Sequence, residues 1–220
     1  MSKVFVDVGM SLDGFIAGPN GGAKNPLGDS GLKIHQWIFN VKSFREHLSM
    51  PGGESDTEDN KIVEKTFNRI GASIMGKNMF IEGEANWPEE APFHCPVYVL
   101  THQKREPWER KGGTTFYFVN DDIHNVLEKA KQNAVSKDVR ISGGADVIQQ
   151  YLNAGLVDEL ILHVAPIILG KGVRLFDKTE GKFSLEISNV ISSLMVTHLF
   201  YKVIQTELTK NFDVKRELLS

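Results

Sequence analysis

The sequence predicts an α/β fold with a mainly parallel central sheet closed by an antiparallel strand pair, and three observations carry that prediction. Short apolar β-type runs alternate with helical periodicity through the middle of the chain. Residues 140–172, RISGGADVIQQYLNAGLVDELILHVAPIILGKG, read as strand, glycine pair, helix and strand. Residues 183–191 and 195–205 then read as two long strands in succession, a closing hairpin.

The elements follow in order. Residues 4–8 (VFVDV) are a compact apolar run with one acid, Asp7, and predict a central first strand. A long segment rich in Gly, Asn, Pro and Ser comes next, with Phe15, Ile16 and Ala17 as an apolar island. A loop of this length inside a compact domain is functional or mobile. Trp37, Val41, Phe44 and Leu48 follow helical spacing and predict a helix within residues 34–50, broken by PGGESD at 51–56. Ile62, Val63, Thr66, Phe67 and Ile70 share one side of a second helix over 59–70. A strand over 71–76 hands over at Gly76 to a helical turn beginning Lys77, Asn78, Met79, Phe80. PVYVLT (96–101) and TFYFV (115–119) are strands, and Asp121 or Asp122 caps a helix whose inner face is Ile123, Val126, Leu127 and Ala130. Residues 138–141 return as a strand that ends in Ser142, Gly143 and Gly144. Ala145, Ile148 and Leu152 then lie on one helical face, with Tyr151 beside them and Gly155 where a C-terminal cap belongs. Residues 160–169 are almost continuously apolar, as a strand covered on both faces would be. The charged end is expected to fray, which sets a domain at 1–206 and a tail at 207–220.

Bulk properties narrow the function classes. At 220 residues the chain suits one large domain and buries a core without staples. A net charge of −3 argues against a nucleic-acid binder working by bulk electrostatics. The single cysteine, Cys95, cannot form an internal disulfide and fits a reducing, cytoplasmic setting. MSKVFVDVG is too short an apolar run for a signal peptide, and no run approaches the roughly 18 apolar residues that span a bilayer. No metal site is expected, because His94 and Cys95 lack further ligands at metal spacing.

Three strand ends carry ligand-like chemistry: Gly76–Lys77, the polar and basic loop Thr101, His102, Gln103, Lys104 and Arg105, and Ser142, Gly143 and Gly144. In an open α/β sheet the carboxyl ends of parallel strands share a rim where ligands bind. Two of the three are helix starts, where free N–H groups and the helix dipole favour an anion. A dinucleotide with a pyrophosphate and an extra ribose phosphate would satisfy the set. Each site alone also reads as a plain turn, and Asp146 in the first turn of its helix competes with a bound anion. Asp13 is either a proton-handling acid or a turn-stabilising residue before Gly14. Trp37 is either core or an aromatic pocket wall, and His163, inside an apolar strand, reads as a satisfied core or interface histidine.

SLDGFIAGPNG (11–21), IMGKNMF (74–80), PVYVLTH (96–102) and ISGGADVIQQYLNAGLVDELILHVAPIILGKGVRLF (141–176) together resemble the dihydrofolate-reductase-like superfamily. Within it the chain looks most like the reductase domain of the bifunctional riboflavin-biosynthesis deaminase–reductase. The resemblance implies NADPH laid across the strand ends. Ile16 and Ala17 would line the nicotinamide, and Gly76, Lys77, Asn78 and Met79 would meet the phosphates. Thr101, His102 and Lys104 would hold the adenosine ribose and its 2′-phosphate. Gly143 and Gly144, often joined by a cis peptide in this fold, would cradle the cofactor together with Ser142, Ala145, Asp146, Val147 and Ile148. The segment LKIHQWIFNVKSFRE offers no match to the pterin-contacting acid of the folate enzymes, and the zinc-binding deaminase half is absent.

The expectation is therefore an NADPH-dependent reductase of a small heterocyclic or carbonyl substrate, pyrimidine- or pterin-like, with Asp13 or water managing the proton. Trp37 and Phe80 would bound the substrate. The alternatives are a non-catalytic nucleotide-binding protein that keeps the cleft, and an interaction module without a cofactor. A homodimer is expected from residues 160–169 and the terminal hairpin.

Overall fold

The structure, a computed structural model, describes residues 2–205. The first strand, β1 (Val4–Ser11), buries Val4, Phe5 and Val6. It runs parallel to β7 (Asp138–Gly143) on one side and to β8 (Glu159–Ala165) on the other. The parallel sheet continues from β7 through β3 (Ile70–Gly76) and β4 (Pro96–Leu100) to β6 (Thr115–Val119). Covered on both faces, β8 buries Leu160, Ile161 and Leu162 in succession.

Both edges of the sheet are antiparallel. At one, β11 (Thr197–Gln205) pairs with β8 and with β10 (Phe183–Ser192), forming the expected hairpin. At the other, a two-residue strand β5 (Trp108–Glu109), which the periodicity does not reveal, pairs with β6. The nine-stranded order is β10-β11-β8-β1-β7-β3-β4-β6-β5.

The helices form where spacing and caps agree. Helix α2 (Glu58–Arg69) is capped by Thr57, whose hydroxyl accepts from the Asn60 N–H at 3.0 Å. Helix α4 (Ile123–Ala134) is capped by Asp122 and buries Val126, Leu127 and Ala130. Helices α3 (Lys77–Glu84) and α5 (Ala145–Asn153) start directly at the ends of β3 and β7. Gly155 follows α5 and, with Leu156, bonds back to the carbonyls of Leu152 and Tyr151, closing the helix as expected.

Three expectations change. The helix expected within 34–50 is two pieces, a 3-10 segment (Gly31–Ile38) and α1 (Lys42–His47). The break is at Val41, which is extended, because residues around Glu54 lace onto it. Glu54 N–H donates to Asn40 O at 2.7 Å, and Lys42 N–H donates to Glu54 O at 3.1 Å. The strand expected over 160–169 stops at Ala165, since Pro166 has no N–H to continue a ladder. The apolar island in the first loop is a strand, β2 (Phe15–Ala17), paired with β9 (Val173–Arg174) in a separate small sheet. The loop between is itself stitched, with Gly18 N–H on Leu27 O and both Asn20 and Asn25 on the Asp29 carboxylate. The tail expected at 207–220 lies outside the described residues.

Candidate active site

The carboxyl ends of the parallel strands open onto one cleft of about 1070 Å³. Gly76 comes to its wall from β3, Leu100 from β4, Ser142 and Gly143 from β7, Asp7 to Gly9 from β1, and His163 from β8. A parallel sheet forces this convergence, because every crossover returns the chain to start the next strand at the opposite rim.

One half of the cleft gathers helix starts. Helices α3 and α5 both begin on it without a side-chain cap, whereas α4, whose start at Ile123 also reaches the cleft, is capped by Asp122, and α2, starting elsewhere, by Thr57. First-turn N–H groups are therefore available to a ligand, except that of Val147, which donates to Gly144 O at 3.1 Å. Gly143 has φ +130 and its peptide bond to Gly144 is cis. A Cβ built on Gly144 would meet nothing within 4 Å, so that backbone faces open space. Ser142 Oγ is buried and unpartnered. An unsatisfied hydroxyl, two bare helix starts and an open glycine fit the phosphates of a dinucleotide. Lys77 lines the same half and enters no ion pair among the described residues.

The structure brings most of the expected cofactor residues to this cleft: Ile16, Ala17, Gly76, Lys77, Asn78, Met79, Thr101, His102, Ser142, Gly143, Gly144, Ala145, Asp146 and Val147. Others it does not. Ile148 is fully buried in the main core and does not line the cleft. Lys104 is exposed and away from it. Arg105, counted with the basic loop, turns outward, pairing with Glu84 at 2.7 Å and lying 4.4 Å above the Phe118 ring. His102 remains, with Nδ1 at 2.8 Å from Asn120 Oδ1.

Asp13 is not in the cleft wall. Its carboxylate accepts from Ser11 Oγ at 2.6 Å, Leu169 N–H at 3.1 Å and Gly170 N–H at 2.7 Å. The Ser11 hydrogen bond first, then those of Gly170 and Leu169, hold its pKa at about 2. This is the turn-stabilising alternative, and a proton-handling Asp13 is corrected accordingly. Phe80 is likewise corrected. It is buried in a second aromatic cluster with Trp87, Trp108, Phe116 and Phe118, and does not reach the cleft.

The other half of the cleft is aromatic. Trp37, Phe44, Phe67 and Phe93 line it, with His35 and His47 between. Trp37 is both core and wall: it packs on Val41, Val63 and Val196, and its ring lies tilted against His163 and edge-on to His198. The floor holds a buried polar chain. Asp7 is 7% exposed, and its Oδ1 lies 3.3 Å from Arg140 Nη2 and its Oδ2 3.2 Å from His163 Nε2. Burial alone would raise its pKa, but His163 and Arg140 outweigh it and hold the carboxyl near about 2. Burial pushes His35 and His47 down to about 4. Of the five buried side-chain polar atoms without a partner among the described residues, four belong to this cleft: His35 Nε2, Trp37 Nε1, Arg140 Nε and Ser142 Oγ. Sequence reasoning missed Asp7, His35 and Arg140. The only signal was an acid inside the apolar run VFVDV.

The sheet order, the terminal hairpin and the cleft across the strand ends define a dihydrofolate-reductase-like fold. More narrowly, the chain belongs to the RibD C-terminal domain family, whose model matches residues 2–195. It is similar to the uncharacterized protein YyaP of Bacillus subtilis (strain 168), with 25% identity over 191 residues covering 85% of this chain and 87% of that protein. Its fold is similar to Acinetobacter baumannii RibD, with a TM-score of 0.59 and 18% identity over 93% of this chain and 59% of that one. It is also similar to dihydrofolate reductase from Enterococcus faecalis complexed with NADP(H), with a TM-score of 0.52 and 11% identity over 93% of this chain and 97% of that one. At such identities the two structures share the fold.

Proposed function

We propose that this chain is an NADPH-dependent reductase of a planar, acceptor-rich heterocycle of the pyrimidine or pterin type. The observation that carries this is the division of one cleft into two chemistries. One half offers two uncapped helix starts around Gly143 and Gly144. The other offers aromatic walls with unpartnered N–H groups on Trp37 and Arg140, suited to ring carbonyls. Membership of the RibD C-terminal domain family supports the same reading.

Bound there, NADPH would supply two electrons as hydride. The first-turn N–H groups of α3 and α5, with Lys77 and Ser142 Oγ, would hold its phosphates. Thr101 and His102 would receive the adenosine end, and Ile16 and Ala17 the nicotinamide. Trp37 would press the substrate ring flat and keep water off it. A second copy of the chain is the proposed cover for Leu185, Ile187 and Val190, exposed along the edge strand β10.

The test is titration with NADPH and NADH followed by quenching of tryptophan fluorescence, since Trp37 and Trp87 line the cleft. Oxidation of the bound NADPH by a panel of pterins, pyrimidines and quinones follows. Tight NADPH binding with turnover of a ring substrate is expected. Binding without turnover of any would leave a nucleotide-binding protein, and binding of neither dinucleotide would end the reductase reading.

A further inference from the structure

Four side chains form an unbroken hydrogen-bonded line from the cleft to the surface. Asp7 Oδ2 meets His163 Nε2 at 3.2 Å, and His163 Nδ1 meets His198 Nδ1 at 2.6 Å. His198 Nε2 meets Asp59 Oδ1 at 2.9 Å. The two histidines come from neighbouring strands, β8 and β11, where they are directly paired residues, and Asp59 is in the first turn of α2. The His198 side chain is wholly buried, while that of Asp59 keeps 15% of its surface accessible. At the other end Asp7 and His163 line the cleft.

Counting protons gives this line a definite state. A carboxylate only accepts, so both Nε2 atoms carry a hydrogen. Two Nδ1 atoms in hydrogen-bond contact share one hydrogen between them. Three N–H hydrogens on two rings make one positive charge, which sits between two carboxylates. Burial pushes the basicity of His198 down. The other charged or titratable groups facing the pair are Arg140 on β7, beside Asp7, and His35 on the 3-10 segment. Arg140 is a fixed positive charge beside the line, whereas burial holds His35 down to about 4 and leaves it neutral near pH 7. Trp37 lies 4.9 Å from the His163 ring and 5.0 Å from the His198 ring, covering the shared hydrogen.

We propose that Asp59, His198, His163 and Asp7 are a proton relay that feeds the reduction in the cleft. The proposal rests on the reductase reading. The substrate carbon of a C=N or C=O bond gains the hydride and its two electrons from the reduced nicotinamide dinucleotide, which is oxidised. The π bond breaks towards the heteroatom, which takes a proton handed from His163 Nε2 through Asp7. Each ring is then left with one hydrogen, His163 on Nδ1 and His198 on Nε2, and each changes tautomer before a proton taken from water at Asp59 restores the third. One hydride and one proton enter the substrate, and one proton leaves solvent. Asp7 and His163 are the members at the reacting atoms, while His198 and Asp59 act through them.

The experiment uses the full chain labelled with ¹⁵N-histidine and free of dinucleotide. Proton–nitrogen correlation spectra near neutral pH are expected to show three ring hydrogens on the pair and one hydrogen coupled to both Nδ1 atoms. Asp59→Asn keeps the shape and a hydrogen-bond acceptor for His198 but cannot pass a proton. It is expected to slow solvent exchange of the shared hydrogen by roughly tenfold or more, with Asp59→Glu restoring it. His198→Gln should abolish the shared signal. Separate neutral rings, or exchange as fast in Asp59→Asn as in the parent, would overturn the relay. Titrating the same samples with NADPH keeps the two claims apart: no binding, with the exchange results as expected, removes the reductase and leaves the proton path standing.

Discussion

Lys178 Nζ lies 2.6 Å from Asp146 Oδ1 at the mouth of the cleft, where Asp146 occupies the first turn of α5. The acid that competes with an anion for the helix dipole thus has its own counter-ion, and both side chains are largely exposed. Asp146→Asn is expected to tighten dinucleotide binding several-fold at low salt, and Lys178→Ala to weaken it. Both effects should shrink at high salt, because exposed charges are screened over about 10 Å at 0.1 M. Fluorescence titrations at two ionic strengths check this, and equal affinities in all three proteins would place the phosphates elsewhere.

Gly144 tests the cradle without unfolding the protein. Its φ of −76 is open to any residue, and an added Cβ meets nothing. Gly144→Val should therefore melt near the parent temperature while losing dinucleotide affinity by at least roughly tenfold, the equivalent of 1.4 kcal/mol. A protein that binds as before would leave the glycine pair a simple turn. Gly143→Val differs: at φ +130, with a Cβ 3.2 Å from Met79 Sδ, it should lose stability as well.

His35 gives stability a pH dependence of fixed sign. Its ring lines the cleft, but Nε2 is buried without a partner, and burial lowers the folded pKa from 6.5 to about 4. Below about pH 6.5 the unfolded chain takes up a proton that the folded one refuses. Stability is thus full above that value and declines as pH falls towards about 4, by roughly 1–2 kcal/mol at about pH 5. Urea unfolding at about pH 7 and pH 5 should show the loss, and His35→Leu should reduce it. An unchanged slope would assign the dependence to other groups, His47 first.

Asp13→Asn is expected to lower the melting temperature and leave NADPH affinity and turnover almost untouched. Its carboxylate fastens the first loop to Leu169 and Gly170 rather than facing the ligand space. A large fall in turnover with normal affinity would restore it as a proton donor.

Much of this was legible in the chain. VFVDV, TFYFV and the segment after Arg140 gave their strands and helices because periodicity and caps are local. The glycines at 76, 143 and 144 pointed to the cleft because strand ends in a parallel sheet share a rim. The helix through Val41 was misread because its interruption comes from Glu54, an outside partner. Phe80 was expected to bound the substrate, but a place beside a strand end does not say which cluster its ring joins.

By itself, then, the sequence determined the alternation of elements, the bare helix starts and the family likeness, all of which depend on neighbours in the chain. Tertiary structure alone decided the chemistry of the cleft floor. Asp7, Arg140, His163 and His198 lie on four strands, up to 191 positions apart. Pairing of β1 with β7 and β8, and of β8 with β11, brings them within hydrogen-bond reach. Away from water, a charge is tolerated only beside its partner, so the roles of these residues exist only once the sheet has formed.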